Sequence, residues 1–129
     1  MSKLPTKLHC PCGTGRGIDV CCGRFLDGGE HPDTPEALMR SRYTAHVLRR
    51  ALYLFGTWHP RTRPATIPID EATEWLGLTV LGAALDDEDH GTVEFIARHR
   101  TDGRTHALHE RSRFVKRHAT WVYVDGDVF

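Results

Sequence analysis

The sequence predicts an α+β protein in two unequal parts: a short cysteine-bearing head, and a domain in which one long helix covers an antiparallel sheet. Three observations lead there. All four cysteines, Cys10, Cys12, Cys21 and Cys22, fall in the first fifth of the 129 residues. Apolar residues recur at helical spacing between Thr34 and Gly56, and after Trp75 the period changes to two.

The head spans residues 1–31. It is short of large apolar side chains and rich in glycine (Gly13, Gly15, Gly17, Gly23, Gly28, Gly29), so burial alone cannot hold it. The domain, residues 33–129, has ordinary globular composition. Its helix opens with Thr34 as cap, Pro35 at the first helical position and Glu36 at the positive end of the dipole. Gly56 stops it. Between them Met39, Tyr43, Val47, Ala51 and Leu54 form one face, and Arg42, His46, Arg49 and Tyr53 line another. Pro60, Pro64 and Pro68 mark a connector, with a short helical turn expected around 71–74.

Strands are expected at 76–85, 92–100, 105–116 and 120–124, separated by a loop at 86–91 and by tight turns at Asp102-Gly103 and His118-Ala119. Connections this short make an antiparallel meander. In that register Phe95, Ala97 and His99 share an inward face with His106, Leu108, Glu110, Ser112 and Phe114, and His99 faces His106. A tight second hairpin brings Trp121, Tyr123 and Asp125 to the same face. Two carboxylates, Glu110 and Asp125, then need donors or a wet cavity beside the core. Arg42 or Arg40 would meet that need by pairing with one of them.

Seventeen basic side chains balance seventeen acidic ones, which disfavours a protein that binds polyanions by bulk charge. The longest nearly apolar run, residues 76–85, is about half of the ~20 residues a membrane helix needs, so no membrane insertion is expected. The opening residues Met1 to Pro5 lack the apolar core of a secretory signal. A reducing cytoplasm is therefore expected.

In such a compartment the C-x-C-x8-C-C arrangement points to a tetrahedral Zn²⁺ site built by Cys10, Cys12, Cys21 and Cys22. Neighbouring glycines let the chain turn sharply enough to bring the sulfurs together, and metal binding offsets the ordering entropy of a coreless segment. A disulfide pair is the competing reading, and His9 is a candidate to replace one sulfur. Four protein ligands leave no open position for a catalytic water, so the ion would be structural.

The run Cys10-Pro11-Cys12-Gly13-Thr14-Gly15, followed by Cys21-Cys22-Gly23, resembles the SEC-C motif, a zinc-binding module known from the tail of the preprotein translocase ATPase. Further blocks are similar to the YchJ family of uncharacterised bacterial proteins: 38–43, Thr57-Trp58-His59-Pro60, 110–114 and 121–126. The resemblance implies a zinc knuckle followed by a nuclear-transport-factor-2-like domain, a curved antiparallel sheet wrapped around helices as a cone-shaped α+β barrel. It implies no established activity.

Cone folds host enzymes, binding proteins and dimerisation modules alike. Candidate pocket residues are Arg40, Arg42 and Tyr43 from the helix, Trp58 and His59 just beyond it, and Glu110, Arg113, Tyr123 and Asp125 from the sheet. Among these His59, Glu110 and Asp125 are the candidates for general acid–base chemistry. No nucleophile elbow or phosphate loop is present. The favoured expectation is an adaptor whose knuckle docks a protein partner. Alternatives are a small-molecule-binding protein or enzyme using the cone pocket, and weak ribosome or nucleic-acid association through Lys3, Lys7, Arg16 and Arg24.

Overall fold

The computed structural model describes residues 8–129; Lys3, Lys7 and the opening segment read for an export signal lie outside the described residues. The head is a tight loop whose backbone bonds to itself at Cys10 N to Arg16 O (2.9 Å) and Ile18 N to Leu8 O (2.8 Å). A 3-10 turn at Ile18–Val20 and a single helical turn α1, Gly23–Leu26, follow. Such a segment has too few backbone bonds to hold itself by secondary structure.

Helix α2 is Pro35–Val47, with the Thr34 hydroxyl accepting from Ala37 N at 3.0 Å as its cap. The long helix expected to reach Gly56 is interrupted, and α3 covers only Ala51–Gly56. The cause is a Schellman ending: Arg50 N donates to Ala45 O, Arg49 N donates to His46 O, and Arg49 adopts a positive φ of 57°. An arginine rarely takes that conformation, and no glycine announces it. The bend is held from outside by an Arg49 bond to Glu71 O (2.8 Å) and an Arg50–Asp27 ion pair.

The sheet is a four-stranded meander in the order β1 (Thr73–Asp87), β2 (His90–Thr101), β3 (Arg104–Arg117), β4 (Thr120–Val128), all antiparallel. The turn expected at 71–74 is not helical; Thr73 already opens β1. The loop at 86–91 shrinks to a two-residue turn because the flanking strands extend into it. Asp102-Gly103 turns at φ 53° and 76°, and His118-Ala119 at 50° and 64°, the left-handed pair that a two-residue hairpin needs. Thr101 pairs with Arg104 and His99 with His106, whose rings stack 5.2 Å apart. Irregularities in the β1 pairing after Trp75, Val80 and Leu85 bend that strand, and the sheet curves over α2.

One expected face assignment fails. Between Arg113 and Phe114 the β3–β4 register slips by one residue, so Phe114 pairs with Tyr123 while Arg113 pairs with Asp125. Val124 is the extra residue, and a one-residue slip moves everything beyond it to the other face. Asp125 therefore stands on the outer side, ion-paired with Arg113, which also holds Asp127.

Helix α2 is buried on almost every side: Leu38, Met39, Ser41, Arg42, Tyr43, Thr44 and Ala45 are all buried. The reason is its central position, with the sheet on one flank and the head on another. Cys10, Cys12, Ile18, Cys21 and Cys22 share one core cluster with Leu38, Met39, Tyr43, Val93 and Phe95. The head thus packs on the domain.

Candidate metal centre and cavity

The sulfurs of Cys10, Cys12, Cys21 and Cys22 all lie within 4.8 Å of one another and all four residues are buried. None forms a disulfide. Cys12 and Cys21 sulfurs are 3.6 Å apart. The loop delivers Cys10 and Cys12, the end of the 3-10 turn delivers Cys21, and Cys22 caps α1. Hydroxyls attend the rim: Thr14 Oγ1 is 3.2 Å from Cys21 Sγ, and Thr44 Oγ1 from α2 is 3.6 Å from Cys10 Sγ. Arg40 Nη1 donates to the Cys12 carbonyl at 2.7 Å, which fastens the loop to the helix. At Gly13 (φ 88°) an added Cβ would meet Leu78 O of β1 at 3.4 Å, so the loop also lies close to the sheet. His9 is exposed, bridges to Gly17, and is not part of the cluster.

Crowding sets the thiol chemistry. Hydrogen bonds from Cys12 and Cys22 drive the Cys10 thiol far below its ordinary value. Hydrogen bonding to Cys10 in turn pushes Cys12 up to about 11, and hydrogen bonding to Cys10 and Cys12 pushes Cys22 up, with burial adding to both. Alone, the sulfurs hold negative charge badly. The four cysteines could hold one metal ion, whose positive charge would remove that conflict.

The second constellation is a cavity of about 230 Å³ between α2 and the inner face of the sheet. Five expected residues, Arg42, Tyr43, Trp58, Glu110 and Tyr123, line it. The other four do not. Arg40 turns to the opposite side of α2, where it pairs with Glu36 and Cys12 O. His59, Arg113 and Asp125 line a separate depression with Arg61, Thr62 and His90. The acid–base candidates are therefore divided, with Glu110 in the cavity and His59 and Asp125 outside it. His59 Nδ1 instead accepts from Arg61 N at 3.0 Å.

Arg42 does not pair with a carboxylate, contrary to expectation. Its Nη1 donates to Leu54 O (3.0 Å) and to Thr57 Oγ1 (2.6 Å), and the guanidinium lies 5.0 Å from the Trp58 ring centre and 4.7 Å from that of Tyr123. Burial pulls it down to about 10, which still leaves it charged at neutral pH. Glu110 is held apart: Ser112 Oγ donates to its Oε2 at 2.6 Å and Tyr123 OH donates at 3.2 Å. Its carboxyl lies over Gly126, where a Cβ would overlap it. Any larger residue there would displace the acid.

The sequence reading missed His46, Trp75, Leu108 and Ser112 as lining residues. Met39, Arg42, Tyr43 and His46 sit at i, i+3, i+4 and i+7, a spacing that could have marked one helix face. Burial, and then Arg42, lower His46 to about 4, so its imidazole is neutral. Among the described residues no helix is long and apolar enough to cross a membrane.

Comparison with known proteins agrees with this architecture. Residues 34–126 match the family described as YchJ, middle NTF2-like domain. A UPF0225 protein of Cupriavidus pinatubonensis is 48% identical over 95% of this chain and 90% of its own length. One from Streptomyces avermitilis is 46% identical over 99% of this chain and 90% of its own. The solution structure of a SEC-C motif containing protein from Rhodopseudomonas palustris superposes with a TM-score of 0.84 at 38% identity, covering 95% of this chain and 99% of that one. A crystal structure of another such protein, from Psychrobacter arcticus, gives 0.80 at 30% identity, covering 96% and 84%. With a cysteine cluster at its head and a helix-filled curved sheet behind it, the chain belongs to the YchJ (UPF0225) family of SEC-C motif proteins.

Proposed function

We propose that the chain is a zinc-clasped binding protein: Zn²⁺ holds the head against α2 as a structural part, and the cavity of the domain does the binding. The zinc assignment rests on the donor set. Four sulfurs at about 2.3 Å from a tetrahedral ion stand about 3.8 Å from each other, close to the 3.6 Å between Cys12 and Cys21 and inside the 4.8 Å limit of the cluster. Such an ion neutralises thiolates and orders the loop; with every ligand supplied by protein it activates no water. A reducing compartment, the cytoplasm, keeps the sulfurs available.

For binding, the observation that carries most is the buried guanidinium of Arg42, which faces the cavity and makes no hydrogen bond or ion pair with a carboxylate. Ligand-detected NMR with a set of one-ring compounds tests this reading. Binding should be seen with the native protein and be lost in Leu108→Trp, which fills the cavity from half-exposed β3. Compounds that bind both equally would place the site elsewhere.

Docking of a protein partner through the knuckle is a second reading, favoured by two exposed apolar side chains there, Leu8 and Val20. The sulfur-bearing face itself is spent on α2. Val20→Asp in the full chain should abolish capture of any zinc-dependent partner without releasing the metal. Weak nucleic-acid association would rest on Arg16 and Arg24, but both are engaged with backbone carbonyls of the head.

A further inference from the structure

The chemistry of the cavity specifies its occupant more closely, and the inference rests on the reading of the cavity as the binding site. A guanidinium that has left water needs an anion or several strong acceptors. Arg42 is only 7% exposed, yet among the described residues only its Nη1 takes acceptors; Nε and Nη2 have none. Beside it the Trp58 Nε1–H is buried without an acceptor, an unfavourable state. The guanidinium lies 5.0 Å from the Trp58 ring centre, so the two residues border one end of the cavity.

The rest of the space is apolar and flat-walled. Trp75, Ala97 and Leu108 line it beyond the polar end, and His46 is a neutral aromatic wall. Ala97 and Leu108 are cross-strand partners, which places them together on β2 and β3. A cavity of about 150 Å³ admits benzene. The 230 Å³ here therefore accepts one ring and a small head group. Glu110, held by Ser112 and Tyr123 rather than by a cation, adds a negative charge to the same cavity. It penalises a dianion such as a phosphate monoester more than a single carboxylate.

We propose that this cavity binds a small aromatic monocarboxylate, with its carboxylate on the free edge of Arg42 beside Trp58 and its ring among Trp75, Ala97 and Leu108. The head group completes the guanidinium hydrogen bonding between largely apolar walls, where a charged bond is stronger than in bulk water. The ring replaces water against apolar walls. Selection for the anion comes from Arg42, and the upper limit on ligand charge comes from Glu110.

Titration with benzoate, benzamide and benzylamine, followed by tryptophan fluorescence and amide shifts, tests the proposal. Benzoate should bind at least tenfold more tightly than benzamide, benzylamine should not bind, and the shifts should map to α2 and the inner sheet face. Arg42→Gln should erase the preference for the acid. Because Arg42 also braces α3, Glu110→Gln provides an independent variant: removing the opposing charge should tighten benzoate several-fold and leave benzamide unchanged. Equal affinity for acid and amide overturns the ligand class while leaving the cavity as a binding site. Failure of all three compounds to bind, with the cavity open, overturns both. Benzoate binding that Glu110→Gln leaves unchanged, or that maps to the depression around His59 and Arg113, likewise overturns the assignment.

Discussion

The cysteine cluster and the cavity are both buried polar constellations, separated by little more than the thickness of α2, yet they are built in opposite ways. The cluster gathers residues from one short stretch, 10–22, and its own donors are chemically sufficient for a metal. The cavity gathers side chains from a helix, a connector and four strands, and its charged groups are kept from one another by hydrogen bonds to neutral partners. In the proposed reading the first is held by coordination, the second by packing. Chemistry that depends on a few adjacent residues survives small changes of backbone; chemistry that depends on packing requires the whole fold.

Removing the metal is the strongest way to break that comparison. Structural zinc contributes on the order of 10 kcal/mol of apparent binding free energy, comparable to the whole stability of a domain. A chelator under reducing conditions should therefore abolish amide protection across residues 8–31 while the meander stays protected. Cys12→Ser should do the same without chelator, read by native mass and hydrogen exchange. A head that remains protected without metal would mean that packing on α2 holds it, and the contrast would vanish.

Acid should act on the cavity side. His46 is lowered to about 4 by burial and by Arg42, whereas in the unfolded chain it titrates near 6.5. Below that value the unfolded state binds the proton and the folded state does not. Stability is thus complete above about pH 6.5 and falls as the pH drops toward 4, by on the order of 3 kcal/mol. His46→Gln should flatten that part of the profile in denaturant melts; an unchanged slope would remove His46 from the account.

The seam between the regions is probed by Arg40→Ala, which deletes the bond to the Cys12 carbonyl and the pair with Glu36. A loss of about 1–2 kcal/mol is expected, with a faster release of metal to chelator. Equal metal release in both proteins would show that the clasp is independent of α2. Smallest of all, Ala119→Gly at φ 64° relieves a left-handed alanine in the last hairpin and should raise stability by about 1 kcal/mol without touching either site. A loss there would contradict the turn geometry.

Much of the architecture was legible. Thr34-Pro35 marks the helix start because capping is local chemistry. The turn at Asp102-Gly103 sets the β2–β3 register because a two-residue hairpin leaves no freedom in pairing. The four cysteines announce their cluster because ligands spaced this closely have few other uses. Three features were not legible. The break after Val47 uses arginine where glycine is usual, and Arg49 and Arg50 hold it through Glu71 and Asp27, distant in sequence. The slip at Val124 carries no composition signal and sends Asp125 to the outer face. The separation of Arg42 from Glu110 depends on which neutral groups reach each first.

The sequence alone determined the fold class, the cysteine-clustered head and the inner face of β2 and β3, because each follows from spacing along one segment. The tertiary structure decided that the head is clasped to α2, that His59 and Asp125 stand apart from Glu110, and that Arg42 shares a cavity with Glu110 without pairing with it. Those outcomes turn on a bulge, a helix ending and long-range hydrogen bonds, whose energies depend on groups brought together only when the chain is folded.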